Sequence, residues 1–175
     1  MTRVVLSIGS NMGDRLAHLQ SVLDGLGRAA TAVSPVYETD AWGGVEQEPF
    51  LNAVVIAEDP LLDGHGWLRR AHEFEDAAGR VREQRWGPRT LDVDLVSCVG
   101  ADGEVLLDDP DLTLPHPYAQ VRAFVLIPWL AVDPAATLTV AGTARAVTDC
   151  LDAIDAGERA GVRPTDLRLR LRNGD

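Results

Sequence analysis

The chain has 175 residues, 46% of them hydrophobic, enough to bury one sizeable core and too few for two ordinary domains joined by a linker. A formal charge of -11 and a pI near 4.7 exclude the broad positive potential that a nucleic-acid surface needs. All sixteen basic residues are Arg, so an anionic ligand must be gripped by a local cluster of planar, permanently charged guanidiniums.

Taken in order, Arg3 to Ile8 is a strand, and Gly9-Ser10-Asn11 reads as a turn with an Asn cap. Leu16, Leu19, Val22, Leu23 and Leu26 then recur at helical spacing until Gly27. Thr31 to Glu38 forms a second strand in which Pro35 marks an edge or a bulge. Residues 39–49, with Trp42, Gly43 and Gly44, have the composition of a surface loop. In the strand Phe50 to Ala57, period-two alternation sets Phe50, Asn52, Val54 and Ile56 on one face, with Asn52 the polar exception. A helix follows from Leu61 to Ala78 and stops at Gly79; an arginine-rich loop spans Arg80 to Thr90 and feeds the strand Leu91 to Val96. A hairpin turn around Gly100 to Gly103 comes next.

The order βαββαβ predicts an α+β, ferredoxin-like sandwich: a mainly antiparallel sheet with both helices on one face and the other face open for ligands. Beyond it lie a Pro-rich loop from Pro110 to Tyr118, a helix from Val121 to Leu130 interrupted at Pro128, and a short helix from Ala144 to Ile154. Residues 156–175 read as a C-terminal tail of weak order, although Leu167, Leu169 and Leu171 alternate as an edge strand would. The short apolar run after Met1, the absence of any stretch near ~20 apolar residues and two widely spaced cysteines, Cys98 and Cys150, predict a soluble, cytoplasmic protein without a membrane partner.

The chemistry concentrates between Gly79 and Leu95. Strand alternation sends Leu91, Val93 and Leu95 to the core and projects Asp92 and Asp94 together from the opposite face. Such a pair is either plain solvent-facing polarity or a hard-oxygen site suited to Mg²⁺ and phosphate. The upstream cluster Arg80, Arg82, Arg85 and Arg89 weighs toward the second, because phosphate clamps beside a metal stabilise a migrating charge. Trp86 in that loop either walls an aromatic ligand or anchors the loop. His116, between Pro115 and Pro117, either donates to phosphate or bonds a backbone carbonyl.

Taken together, Gly9-Ser10-Asn11, Phe50-Leu51-Asn52, Gly79-Arg80-Val81-Arg82, the run Arg85-Trp86-Gly87-Pro88-Arg89-Thr90-Leu91-Asp92-Val93-Asp94, and Pro115-His116 closely resemble the 6-hydroxymethyl-7,8-dihydropterin pyrophosphokinase family of folate biosynthesis. The resemblance implies a catalytic domain over residues 1–155 and transfer of the β,γ-diphosphate of ATP to the pterin's hydroxymethyl oxygen, releasing AMP. It implies two Mg²⁺ ions on Asp92 and Asp94, with Arg80, Arg82 and Arg89 stabilising the diphosphate. It places the pterin between Phe124 and Trp86, its polar edge read by Asn52 with Phe50, Thr39 and Trp42 nearby. It assigns ATP to His72, Glu75, Arg80, Arg89, Thr113, His116 and Arg122, in a monomer. The sequence departs from the family pattern at His72, Phe50, Asp40 and Pro117, where glutamine, tyrosine, proline and tyrosine are frequent, and its arginine loop is one residue shorter. The weaker rivals are a non-catalytic ligand-sensing module and another Mg²⁺-dependent phosphotransferase on the same fold.

Overall fold

The computed structural model describes residues 1–40, 47–79 and 90–172. The chain is an α+β protein built on one antiparallel sheet. Its centre is β1 (Thr2–Ser10), which pairs with β4 (Phe50–Asp59) on one side and β5 (Asp92–Gly100) on the other. From Val4 to Ser10 every residue of β1 is buried, as suits the central strand of a sheet with elements packed on both faces. On one face α1 (Arg15–Leu26) and α2 (Gly64–Ala77) close a core with Leu6, Ile8, Val55, Trp67 and Leu95.

The expected turn at residues 9–11 is instead the end of β1 for Gly9 and Ser10. Asp14 caps α1, accepting from the Ala17 N–H at 3.1 Å, while the Asn11 amide donates to Gln47 Oε1 and to the Glu48 carbonyl. The expected second strand divides into β2 (Ala30–Val33) and β3 (Tyr37–Thr39), both paired with β4. Pro35 has no N–H to give the ladder, and Ser34 bridges the break: its N–H donates to the Val54 carbonyl and its Oγ accepts from the Val54 N–H, both at 2.9 Å.

The second sheet face is only half open. Val5, Val54, Ile56 and Val96 pack beneath α3 (Ala123–Val132) and α4 (Val147–Asp152), forming a second core with Leu126 and Trp129. α3 is unbroken at Pro128, contrary to the expected interruption, because burial of Val125, Leu126 and Trp129 outweighs one lost backbone bond. The turn after β5 leads into β6 (Gly103–Glu104), and β7 (Leu107–Asp108) pairs with β8 (Thr113–Leu114). The helix expected from Ala144 begins only at Val147, since β9 (Thr137–Val140) and β10 (Thr143–Ala146) form a hairpin through Ala141 and Gly142, both with positive φ.

Residues 156–172 also differ from a loosely ordered tail. They form α5 (Ala156–Ala160) and β11 (Arg163–Pro164), which pairs with β3, and Leu169 is buried in the first core. The edge strand thus falls at Arg163–Pro164 and not on the leucine alternation, whose Leu169 is part of the first core.

Candidate active site

Along the half-open face, three strands change character together. Val5, Val54, Ile56 and Val96 are covered by α3, whereas the next positions on that face are Ser7 and Gly9 of β1, Asn52 and Phe50 of β4, and Asp94 and Asp92 of β5. Register makes the grouping compact: Gly9 lies opposite both Asn52 and Asp92, and Ser7 opposite Asp94. These residues, with Thr39, Asp40, Arg122 and Phe124, line a cleft of about 610 Å³ counted out to solvent.

Within the cleft the Asn52 amide is buried and donates to Thr39 Oγ1 at 2.6 Å. A Cβ on Gly9 would sit 3.0 Å from Asn52 Oδ1, so the glycine leaves room for that amide to turn toward a ligand. Arg122 lies over two rings, its guanidinium carbon 5.6 Å from the Phe124 centroid and 5.4 Å from that of Tyr118. Asp92 and Asp94 are half-buried with their carboxylates on one strand face, as alternation requires.

A second cleft of about 850 Å³ gathers His72, Glu75, Thr113 and His116 around Asp94. His72 and Glu75 are three residues apart and so share one side of α2. The Glu75 carboxylate is buried and accepts from the Val93 N–H at 3.0 Å, which ties α2 to the backbone between the two aspartates. His116 is set by β5: Val96 is an extra residue that shifts the β1–β5 register, and its carbonyl accepts the His116 N–H at 2.9 Å. His116 Nδ1 accepts from the Tyr118 N–H at 3.1 Å. Burial, and then the nearby Arg122 charge, push the imidazole down to about 4. The ring is therefore neutral at pH 7 with its proton on Nε2, a hydrogen-bond donor and not a cation.

Of the residues singled out from sequence, Thr39, Phe50, Asn52, Asp92, Asp94, Arg122 and Phe124 meet in the first cleft, and His72, Glu75, Asp94, Thr113 and His116 in the second. Arg122 thus stands with the first group and not with the other nucleotide candidates. Trp42, Arg80, Arg82, Arg85, Trp86 and Arg89 lie outside the described residues. Ser7, Gly9 and the rim residue Asp40 escaped the sequence reading of the cleft. Ser7 carried a signal, as a polar residue set between the apolar Leu6 and Ile8.

Asp92 and Asp94 supply only hard oxygen donors, a set that fits Mg²⁺ holding one or two carboxylates plus water and phosphate oxygens. A separate surface group, His65, Asp109 and Asp111, has ligand-type atoms within 4.8 Å of one another. Its carboxylates already bracket the imidazole, at 2.8 Å from Nε2 and 3.8 Å from Nδ1. That arrangement satisfies a histidine without an ion.

Residues 5–134 match the model of the 7,8-dihydro-6-hydroxymethylpterin-pyrophosphokinase (HPPK) family. The chain belongs to this family. It is 62% identical to the 2-amino-4-hydroxy-6-hydroxymethyldihydropteridine pyrophosphokinase of Mycobacterium tuberculosis (strain ATCC 25618 / H37Rv) over 168 residues, 93% of this chain and 89% of that protein. The Mycobacterium leprae (strain TN) protein of the same name is 61% identical over 178 residues, 98% of this chain and 93% of that one. Among solved structures, an HPPK-DHPS in complex with substrates aligns with a TM-score of 0.60 at 10% identity, over 87% of this chain. Wild-type HPPK-DHPS of Plasmodium falciparum aligns with a TM-score of 0.61 at 13% identity. This family member spans only 43% and 42% of those two chains, and the likeness to them is one of fold.

Proposed function

We propose that the chain transfers the β,γ-diphosphate of ATP to the hydroxymethyl oxygen of 6-hydroxymethyl-7,8-dihydropterin, releasing AMP, within tetrahydrofolate biosynthesis. One observation carries the reading: Asp94 lines both clefts, so ligands in the two would meet at the β5 carboxylates. Family membership supplies the substrates.

In the first cleft the pterin lies against Phe124, while Asn52 and Thr39 read its polar edge and Phe50 closes the side; Trp42 and Trp86, outside the described residues, are assigned to the same ligand by the family resemblance alone. In the second, His72, Glu75, Thr113 and His116 hold ATP; Arg122, which lines the first cleft, is assigned to ATP by the family resemblance alone. Arg80, Arg82 and Arg89 stabilise charge on the moving diphosphate. The chain's main contribution is positioning, since holding two reactants in line converts a bimolecular step into an effectively unimolecular one. Asp92 and Asp94 would hold two Mg²⁺ ions, which when bound neutralise phosphate charge and polarise phosphorus.

The β5-β1-β4 order, with β2 and β3 beyond β4, supports a ferredoxin-like scaffold for the catalytic domain, assigned to residues 1–155. The described helices include none long and apolar enough to cross a membrane. A cytoplasmic monomer acting on small molecules fits the reading.

The test is product analysis. ATP, the hydroxymethylpterin, Mg²⁺ and the full chain should yield AMP in equal amount to the pterin diphosphate, and chelation of Mg²⁺ should stop it. Asp94→Ala should lower kcat by about 100-fold or more, the scale of losing a preorganised electrostatic contact. Formation of ADP in place of AMP would reject the reaction, and a wild-type kcat in the variant would reject the role of Asp94.

A further inference from the structure

The family match ends at residue 134, and none of the site residues named so far lies beyond it. Yet Arg163, on β11, reaches the rim of the first cleft. Its NH2 lies 3.1 Å from Asp40 Oδ1 and 3.5 Å from Glu38 Oε1. β11 runs antiparallel to β3 with Arg163 opposite Glu38, and Thr165, two residues further on, donates from both N and Oγ1 to the Val36 carbonyl. Glu38 is held from a second direction by Arg15 NH1 at 3.3 Å, which also donates to the Pro49 carbonyl at 2.9 Å.

Glu38 and Asp40 flank Thr39, the last residue of a three-residue strand. Thr39 is buried, and its hydroxyl receives the hydrogen bond from Asn52. A strand this short has few ladder bonds to define its register, so its placement depends on what holds its edge.

We propose that Arg163 is a positioning residue for the pterin cleft: by bracing the carboxylates on both sides of Thr39, it keeps that hydroxyl on Asn52 and fixes the amide that reads the substrate's polar edge. The inference rests on the first cleft being the pterin site. Both partners are largely exposed, with Arg163 42% and Asp40 79% accessible. Exposed ion pairs contribute little to stability one at a time. The effect therefore falls on substrate binding and not on folding.

Steady-state kinetics of the full chain test this with both substrates varied. Arg163→Glu, which turns attraction into repulsion, should raise the pterin KM about fivefold, the scale of one exposed ion pair, with kcat and the ATP KM within about twofold of wild type. Arg163→Lys keeps the cation and should restore the wild-type KM. Should Arg163→Glu not fold, Arg163→Gln and Asp40→Asn replace it, each expected to raise the pterin KM about twofold to threefold. Asn52→Ala is the control for the cleft itself. If it raises the pterin KM while the Arg163 variants do not, the positioning role is overturned and the cleft stands. If Asn52→Ala leaves the pterin KM unchanged, the cleft assignment fails and the inference goes with it. Equal losses toward ATP and pterin, or a fall in kcat alone, would mark Arg163 as a general structural residue and overturn the proposal.

Discussion

At the scale of single residues, the site shows how burial sets chemistry. His116 is an ordinary imidazole whose surroundings remove its charge: burial, with Arg122 nearby, brings it to about 4 from 6.5, while its backbone N–H donates to the Val96 carbonyl and its Nδ1 accepts from the Tyr118 N–H. The consequence for stability has a definite sign. Between pH 4 and 6.5 the unfolded chain binds the proton that the folded chain refuses, so the contribution is complete above 6.5 and is lost as pH falls toward 4. Allowing for the ring's partial exposure, urea denaturation should lose on the order of 1–2 kcal/mol more between pH 7 and pH 5 in wild type than in His116→Gln. Identical pH dependence in the two proteins would contradict a buried neutral imidazole. The same residue illustrates what sequence could not decide. Pro115-His116-Pro117 suggested a rigid loop, but which partner the histidine takes depends on a bulge at Val96, which is distant in the chain and set by pairing with β1.

At the scale of elements, helix packing is set by one missing side chain. A Cβ on Gly25 of α1 would lie 2.4 Å from Phe74 Cε1 of α2, closer than atoms can approach. The ring has little freedom to yield, since Arg70 stacks over it at 4.7 Å and donates to the Gly25 carbonyl at 2.7 Å. Gly25→Ala should therefore destabilise. Overpacking costs about 1–3 kcal/mol, and the better helix propensity of Ala returns up to about 1 kcal/mol. A net loss of about 1–2 kcal/mol should appear as a lower urea midpoint at unchanged slope. A neutral or raised midpoint would mean that the helices separate freely. In α3, Pro128, a residue that usually breaks helices, is carried by the apolar burial around it.

At the scale of the whole molecule, the C-terminal residues 163–172 are hydrogen-bonded and packed against α1, β3 and the first core. Arg170 exchanges hydrogen bonds with Gln20 at 2.9 Å in both directions, Arg172 pairs with Asp24 at 2.6 Å and holds that carboxyl below its usual range, and Leu169 is 7% exposed. Leu169→Ala should cost about 2–4 kcal/mol, the range for a leucine removed from a core, and should shift one cooperative transition. A tail that merely rests on the surface would leave the midpoint unchanged, and a second, earlier transition would show it unfolding by itself.

The sequence alone determined the elements with strong local periodicity, namely β1, α1, β4, α2 and β5, and it determined which face each strand shows. That was enough to pair Asp92 with Asp94 on one face of their strand and to group Asn52 with Phe50 on one face of theirs, because alternation is a property of the backbone itself. Only the tertiary structure decided what crosses between elements: the roof that α3 lays over half the sheet, the sharing of Asp94 by two clefts, the glycine floor beneath Asn52, and the reach of Arg163 to β3. Those features depend on register and on contacts between residues far apart in the chain, and neither is written in any local pattern.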